Sequence, residues 1–261
     1  MALSQLQKTV LVALIASVIV AFSIGYGVSQ TILAQKQVQP QLLDSEPTPT
    51  PIQLQPQSSI ARLKLPAVDK DGKGVLAELI VEAREGSGRV FIQFDENNPL
   101  INPDTQSSIK IAVSLAKAIT RDSLADKNLY FSFNTPSEAV GGKSAGAALA
   151  IAAIAAISGD GLKKEYAITG EVQDDGLINP VGSVLQKANA VKNAGLQVLL
   201  VPRGESTQKV LREECSEERW PNYVRQECTT ITDVVDIEKE TGVKIIEVQD
   251  VREAYDLMKQ G

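Results

Sequence analysis

The chain has 261 residues, no histidine and a formal net charge of −6. The absence of histidine excludes every hydrolase whose general base is an imidazole, and most zinc sites that depend on histidine ligands. The excess of acidic residues disfavours nucleic acid as a partner, because a net negative protein repels a polyanion.

An uncharged apolar run follows a short N-terminal tail, residues 1–8. Residues 9–28 contain no charged side chain, and 20 residues of helix span about 30 Å, the thickness of a bilayer's hydrocarbon core. The run is longer than the apolar part of a usual signal peptide, and no A-x-A cleavage site follows it. We therefore predict an uncleaved transmembrane anchor, with a cleaved signal peptide and a buried core helix as alternatives.

The charges that flank this run suggest an orientation. Lys8 and the terminal amine precede it, whereas Lys36 is followed by the acidic Asp44 and Glu46. By the positive-inside rule the N-terminus lies in the cytoplasm. We expect a single-pass protein of the cell membrane whose remaining part is extracytoplasmic.

A linker and one domain make up the rest of the chain. Residues 29–59 are rich in Pro and Gln, with PTPTP at 47–51, which is typical of a semi-rigid spacer. Residues 60–261 are numerous enough for one sizeable core. Because strand-like and helix-like patterns alternate there, we predict a mixed α/β (α+β) domain.

The predicted elements of this domain follow from hydrophobic periodicity and turn residues. The predicted strands are 61–68, 75–85, 89–94, 128–133, 166–172, 176–181, 196–201 and 243–248. The predicted helices are 105–120, 144–158, 183–194, 206–212 and 251–259.

The segment Gly141-Gly142-Lys143-Ser144 allows two interpretations. A phosphate-binding P-loop would need a glycine where Ser137 stands, and an acidic residue at the end of a later strand for Mg²⁺. Alternatively, Ser144 is a nucleophile at the start of the apolar, buried helix 144–158, whose unpaired N–H groups stabilise developing negative charge. An ordinary N-cap serine is the simplest alternative.

Lys187 is the candidate general base. On the predicted helix 183–194 the apolar stripe contains Val184, Ala188 and Val191, and Lys187 lies on the same side. Burial lowers a lysine pKa, and a neutral amine can take a proton from a serine hydroxyl. The alternative is a lysine whose amine reaches back to water.

Three segments carry a resemblance to a known family. GGKSAGAALA at 141–150, ITGEV at 168–172 and GLINPVGSVLQKANAVKNAGLQVLLVP at 176–202 together resemble the peptidase domain of Lon-type serine proteases, over roughly residues 60–205. The resemblance implies that Ser144 is the nucleophile, that Lys187, 43 residues later, is the base, and that Thr169 orients it. Gly142, Lys143 and Ala145 would form the substrate and oxyanion region.

The resemblance also implies a function. It implies a serine endopeptidase that acts on polypeptides without a cofactor or a metal, and a homo-oligomer in the form of a hexameric ring. The sequence has no counterpart of the ATPase module of full-length Lon proteases, so we expect ATP-independent cleavage of unfolded or flexible chains. The alternatives are a catalytically inactive Lon-like adaptor that binds peptides, and a degenerate P-loop protein that binds nucleotides.

Two positions depart from the family pattern. Many members carry an acidic residue three positions before the serine, where this chain has Gly141, and Glu138 is the substitute candidate. Ser183 stands where the family's PVGG motif has its last glycine. These departures put the identity of a third, acidic site residue in question.

The chain has two cysteines, Cys215 and Cys228, with 12 residues between them. In an extracytoplasmic domain we expect a disulfide that closes this loop and stabilises it by roughly 3 kcal/mol. Two free thiols are expected if the domain is cytoplasmic.

Overall fold

The computed structural model describes residues 58–93, 99–135 and 139–261. The predicted anchor 9–28, most of the linker 29–59, and Glu138 lie outside the described residues. Within the described ranges, no helix is both long and apolar enough to cross a membrane.

Strands and helices alternate along the described chain. The strands are β1 Ser59–Val68, β2 Gly74–Glu85, β3 Val90–Ile92, β4 Leu100–Ile101, β5 Lys127–Asn134, β6 Ala139–Val140, β7 Tyr166–Ile168, β8 Glu171–Val172, β9 Ile178–Asn179, β10 Val198–Pro202, β11 Thr207–Trp220, β12 Tyr223–Asp236 and β13 Lys244–Val248. The helices are α1 Pro103–Thr120, α2 Gly146–Ser158, α3 Val184–Asn193, α4 Ile237–Thr241 and α5 Val251–Met258, and a 3₁₀ turn, Lys143–Ala145, leads directly into α2.

A seven-stranded sheet forms the centre of the domain, in the order β13-β10-β7-β1-β2-β5-β3. β1 pairs antiparallel with β2, and β2 antiparallel with β5. β7 runs parallel to both β1 and β10, and β10 runs parallel to β13. The sheet is therefore mixed, with helices packed on it, and the predicted mixed α/β class is confirmed.

Helices cover both faces of this sheet. Neighbouring residues of a strand point to opposite faces, and in β10 Leu199 packs with Val184 and Ala188 of α3, whereas Leu200 belongs to the larger core cluster that contains α2. The sheet thus separates α3 from α2. A side chain on α3 can therefore meet the start of α2 beyond the ends of the central strands, where the sheet no longer lies between the two helices.

Helix α2 is buried along almost its whole length, as its uniformly apolar sequence predicts. Every residue from 146 to 156 is buried, and the helix packs on β1, β2 and α1. It ends at Gly159, whose left-handed backbone (φ 75°) suits a helix C-terminus. This packing fixes the position of the turn that carries Ser144.

Three predicted elements differ from the structure. Of the predicted strand 176–181, only Ile178–Asn179 is a strand, β9. The predicted strand 166–172 is interrupted between β7 and β8, where Thr169 and Gly170 leave the sheet. The predicted helix 206–212 is wrong, because these residues begin β11, which pairs with β12 along its whole length in a two-stranded hairpin, the hairpin arm (residues 207–236). The β12 segment TTITDVV is rich in β-branched residues, and pairing with it outweighs the local helix propensity of TQKVLRE.

A disulfide joins the two strands of the hairpin arm. Cys215 and Cys228 lie directly opposite each other in the β11–β12 register and are bonded. The bridge that we expect for an extracytoplasmic domain is therefore present. It lies far along the arm, among residues that are exposed to solvent.

Candidate active site

Three segments bring the candidate residues together. Ser144 is the central residue of the 3₁₀ turn before α2, Thr169 directly follows β7, and Lys187 lies in the first half of α3. Thr169 is within hydrogen-bonding distance of atoms of the other two residues. The predicted residues therefore meet at the C-terminal end of β7.

Lys187 is buried, with only 4% of its surface exposed. Its Nζ donates a hydrogen bond to Thr169 Oγ1 at 3.0 Å. The inward orientation predicted from the apolar stripe of the helix is confirmed, and the alternative of a lysine that reaches water is wrong. Burial lowers the pKa of Lys187 to about 8, and the negative charge of Glu205 partly opposes this effect.

Thr169 links Lys187 to the segment that carries Ser144. Its Oγ1 donates to the backbone carbonyl of Ser144 at 3.4 Å while accepting from Lys187, and its backbone N–H donates to Leu200 O in β10 at 3.1 Å. The residue is completely buried. Its hydroxyl therefore holds the lysine amine in a fixed position relative to the turn.

The Ser144 turn is held against Gly170 by backbone hydrogen bonds. Gly170 N–H donates to Ser144 O, and Ala147 N–H donates to Gly170 O, both at 3.0 Å. Two glycines permit this approach, since a Cβ on Gly170 would lie 2.2 Å from Ile178 Cγ2 and one on Gly146 2.8 Å from a backbone nitrogen. The backbone around Ser144 is thus closely constrained.

Ser144 itself is half-buried. Within the described part of the chain its hydroxyl makes no hydrogen bond to the Lys187 amine, and the two residues share Thr169 as a common neighbour. In free enzymes, catalytic hydrogen bonds are often longer than in the substrate complex. A proton transfer between the two residues would require the Ser144 hydroxyl and the Lys187 amine to come into hydrogen-bonding distance.

The N–H groups at the start of α2 are already used. Gly146 N–H bonds to Lys143 O, and Ala147 N–H bonds to Gly170 O. The sequence predicted that the first N–H groups of this helix are unpaired, and this prediction is wrong for the N–H groups of Gly146 and Ala147. The candidates for an oxyanion site are therefore the amides of the preceding segment, which contains the predicted residues Gly142, Lys143 and Ala145. Gly142 has a left-handed backbone (φ 90°), and the chain turns at this residue.

The other predicted residues of this segment have different environments. Ala145 is buried, whereas the Lys143 side chain is 57% exposed and its Nζ lies 3.3 Å from Glu171 Oε1. The lysine that a P-loop would direct to phosphates is thus in an ion pair with a carboxylate of β8.

Glu205 is a charged residue whose carboxylate acts on the pKa of Lys187, and the sequence did not indicate it. It lies half-buried in the loop after β10, where burial raises its pKa and the charge of Lys187 lowers it. Strand pairing explains why Glu205 lies near the other residues. Because β7 and β10 are parallel neighbours, their C-terminal ends lie side by side, and these ends are followed by Thr169 and Glu205. The sequence did not show that these two strands pair.

Gly141 stands where the resemblance led us to expect an acidic residue. A Cβ there would lie 2.3 Å from Asn102 Nδ2. Asn102 is fixed because its Oδ1 accepts from Thr105 N at 3.0 Å and caps α1. In this chain the asparagine fills the space that a side chain at position 141 would need.

Comparison with known proteins gives consistent matches. The family model for the Lon protease (S16) C-terminal proteolytic domain matches residues 79–239. The chain is 32% identical over 104 residues to the Lon protease of Desulfosudis oleivorans (38% of this chain, 13% of the relative). It is 28% identical over 129 residues to the archaeal Lon protease of Archaeoglobus fulgidus (49% and 20%), and 27% identical over 157 residues to that of Methanocaldococcus jannaschii (51% and 24%). The chain thus covers less than a quarter of the length of each of these relatives.

Proposed function

We propose that this chain, which belongs to the Lon protease (S16) family through its proteolytic domain, is a serine endopeptidase with Ser144 as nucleophile and Lys187 as general base. The observation that carries the proposal is the buried Lys187 amine, which bonds to Thr169 next to the Ser144 turn. Burying an ammonium ion is costly, so a buried lysine with a hydroxyl partner favours the neutral form that catalysis needs.

The first step is proton removal from Ser144. With the Lys187 pKa at about 8, roughly a tenth of the amines are neutral at pH 7 and half at pH 8. One N–H of the amine remains bonded to Thr169, and the nitrogen lone pair accepts the Ser144 proton as Oγ attacks the substrate carbonyl. Thr169 positions the base and does not itself exchange a proton with the substrate.

The later steps use the same groups. The tetrahedral intermediate bears its negative charge beside the amides of residues 142–145, and the protonated Lys187 gives its proton to the leaving amine as the peptide bond breaks. The acyl group on Ser144 is then transferred to a water molecule, from which Lys187 removes a proton, and Lys187 returns this proton to Ser144 Oγ as the acyl–oxygen bond breaks. The enzyme returns to its starting state without a metal or a redox cofactor taking part.

The substrates in this proposal are flexible or unfolded polypeptides, cleaved without ATP. The support is that the family match is to a proteolytic domain and that the candidate residues lie within it. Assembly into a homo-oligomeric ring is proposed on family grounds alone, and sedimentation of the purified full chain tests it.

For location, we propose that residues 9–28 anchor the chain in the cell membrane and that the domain is extracytoplasmic. The uncharged length of the run supports an anchor. The Cys215–Cys228 disulfide supports an oxidising compartment. Digestion of the domain by protease added to intact cells is expected, and protection until lysis would contradict this topology.

Covalent labelling tests the catalytic assignment. We expect a serine-reactive fluorophosphonate probe to label the purified full chain and the control variant Ser216→Ala, which changes an exposed serine of β11. The Ser144→Ala variant should not be labelled. Absence of labelling in the folded parent would favour the inactive, peptide-binding alternative, and labelling of Ser144→Ala would assign the nucleophile elsewhere.

A further inference from the structure

A cavity of about 560 Å³ lies beside the proposed nucleophile. Lys143, the residue before Ser144, forms part of its wall, as do Glu171 and Val172 of β8, which follow Thr169 closely in the chain. The volume is within the range of sites that bind small ligands or side chains. The cavity thus adjoins the segment that carries Ser144.

One side of the cavity is a single face of α1. Asp104, Ser107, Ser108 and Ile111 line it, and their spacing of three or four residues places them on the same side of the helix. Ile111 and the buried Val172 give the cavity an apolar part. Its other lining residues are polar or charged.

The charge of the cavity is negative. Lys143 pairs with Glu171 at 3.3 Å, so these two charges largely compensate. Within the described part of the chain, no lysine or arginine pairs with the carboxylates of Asp104, Asp174 or Asp175, which also line the cavity. Three carboxylates without a cationic partner therefore border a space that has apolar surface on part of its wall, and Asp175 among them accepts a hydrogen bond from Leu177 N–H.

This combination fits one class of side chain. Lysine and arginine have an aliphatic stem that packs against apolar surface and a cationic end that hydrogen-bonds to carboxylates. A glutamate or aspartate would be repelled, and a leucine would gain no favourable interaction with the carboxylates. The negative charge of the cavity therefore favours a lysine or arginine over other side chains that would fit into its volume.

We propose that this cavity is a specificity pocket that binds a lysine or arginine side chain of the substrate at a fixed position relative to the cleaved bond. The inference rests on the proposed peptidase function and adds to it the substrate preference of the same site. Asp104 and Asp174 act as the specificity-determining residues, one from α1 and one from the turn after β8.

The test is a map of cleavage sites. The purified full chain digests a mixture of denatured proteins at low salt, and mass spectrometry identifies the cut bonds. We expect lysine and arginine to be enriched at one position beside the cut, roughly fivefold to tenfold over their abundance, because each exposed ion pair contributes modestly. The enrichment should fall as salt is raised, since salt screens exposed charges.

Variants assign the enrichment to the cavity. The double variant Asp104→Asn/Asp174→Asn should lose most of it, whereas the control Asp256→Asn, which changes an exposed aspartate of α5 outside the cavity, should keep it. Cleavage with no basic preference, or with basic residues enriched at no fixed position, overturns the pocket and leaves the peptidase function intact. An enzyme that cuts none of the proteins overturns the proposed function, and the pocket with it.

Discussion

Lys187 Nζ lies 3.0 Å from Thr169 Oγ1, and both residues are buried. Within the described part of the chain, Lys187 forms no ion pair with a carboxylate. A lysine in this setting loses more solvation as an ammonium ion than it regains from one hydroxyl, so its pKa falls and its neutral form is more populated than in an exposed lysine. The predictions on pH, base strength and stability depend on this pair.

Activity should rise with pH. We expect kcat/KM for an unstructured peptide to reach half its maximum near pH 8, the value to which burial lowers the pKa of Lys187. Lys187→Arg should lose roughly 100-fold or more, because a guanidinium remains protonated and cannot act as a base. The matched control is Lys192→Arg, on the exposed side of the same helix, which should retain the parental rate. A Lys187→Arg enzyme with most of the parental rate would show that lysine is not the base.

Lys187 should reduce the stability of the fold at neutral pH. Its pKa is about 8 in the folded state and near 10.4 in the unfolded chain, so the unfolded chain binds the proton more readily between these values. The cost is absent above pH 10.4, grows as the pH falls towards 8 and is constant below. We expect Lys187→Met to raise the free energy of unfolding by about 1–3 kcal/mol at pH 6, and by much less at pH 10. Urea unfolding at both pH values measures it, and a variant less stable than the parent at pH 6 refutes the prediction.

Glu205 should set the working pH range of the enzyme. Its negative charge raises the pKa of Lys187 against the larger effect of burial. Removing that charge in Glu205→Gln should lower the pKa of Lys187 further and shift the pH–rate profile to lower pH, with a higher kcat/KM at pH 6. The control is Glu240→Gln, an exposed glutamate of α4. A profile that stays in place or moves to higher pH would exclude this role.

Ser183 should be replaceable by glycine with a gain in stability. It has a left-handed backbone (φ 60°) at the start of α3, and its side chain makes no capping hydrogen bond. That conformation is strained for a residue with a Cβ, and glycine relieves the strain. We expect Ser183→Gly to raise the free energy of unfolding by up to about 1 kcal/mol. The gain is no larger because glycine has more conformational entropy in the unfolded chain, which opposes it. Ser183→Ala keeps the Cβ and should give no gain. Equal stabilisation by both variants would contradict the explanation.

A side chain at position 141 should destabilise the start of α1. The methyl group of Gly141→Ala would collide with Asn102, which must move and lose its cap on Thr105 N, at a cost of about 1 kcal/mol. Gly182→Ala, where a Cβ meets no atom within 4 Å, is the control. In an Asn102→Ala background the Gly141→Ala substitution should cost much less. If the losses of stability from the two substitutions are additive in thermal unfolding of the double variant, residues 102 and 141 do not interact and the explanation is wrong.

The features that could be predicted from the sequence are those that follow from a local pattern of residues. The burial of Lys187 follows from the spacing of Val184, Ala188 and Val191, because a helix repeats every 3.6 residues. The buried helix after Ser144 follows in the same way from its uniform apolar run. These features need no knowledge of the remaining fold.

Other features depend on contacts between distant segments. Glu205 comes near Lys187 only because β10 pairs with β7, and Asn102 excludes a side chain at Gly141 only because α1 starts beside that loop. The strand at Thr207 forms because β12 pairs with it, whereas its own residues favour a helix. Periodicity within one segment carries no information about such partners.

The position of the disulfide affects how damage to the hairpin arm would be detected. Cys215 and Cys228 enclose the turn of the arm, including Trp220 and Tyr223, which are stacked on each other and exposed. A single cut of the chain between the two cysteines leaves both fragments covalently joined. The nicked molecule would therefore migrate on a non-reducing gel as one band of nearly full mass, and would separate into two pieces only after reduction. Self-cleavage at this turn, which the proposed function would allow, therefore has to be sought under reducing conditions.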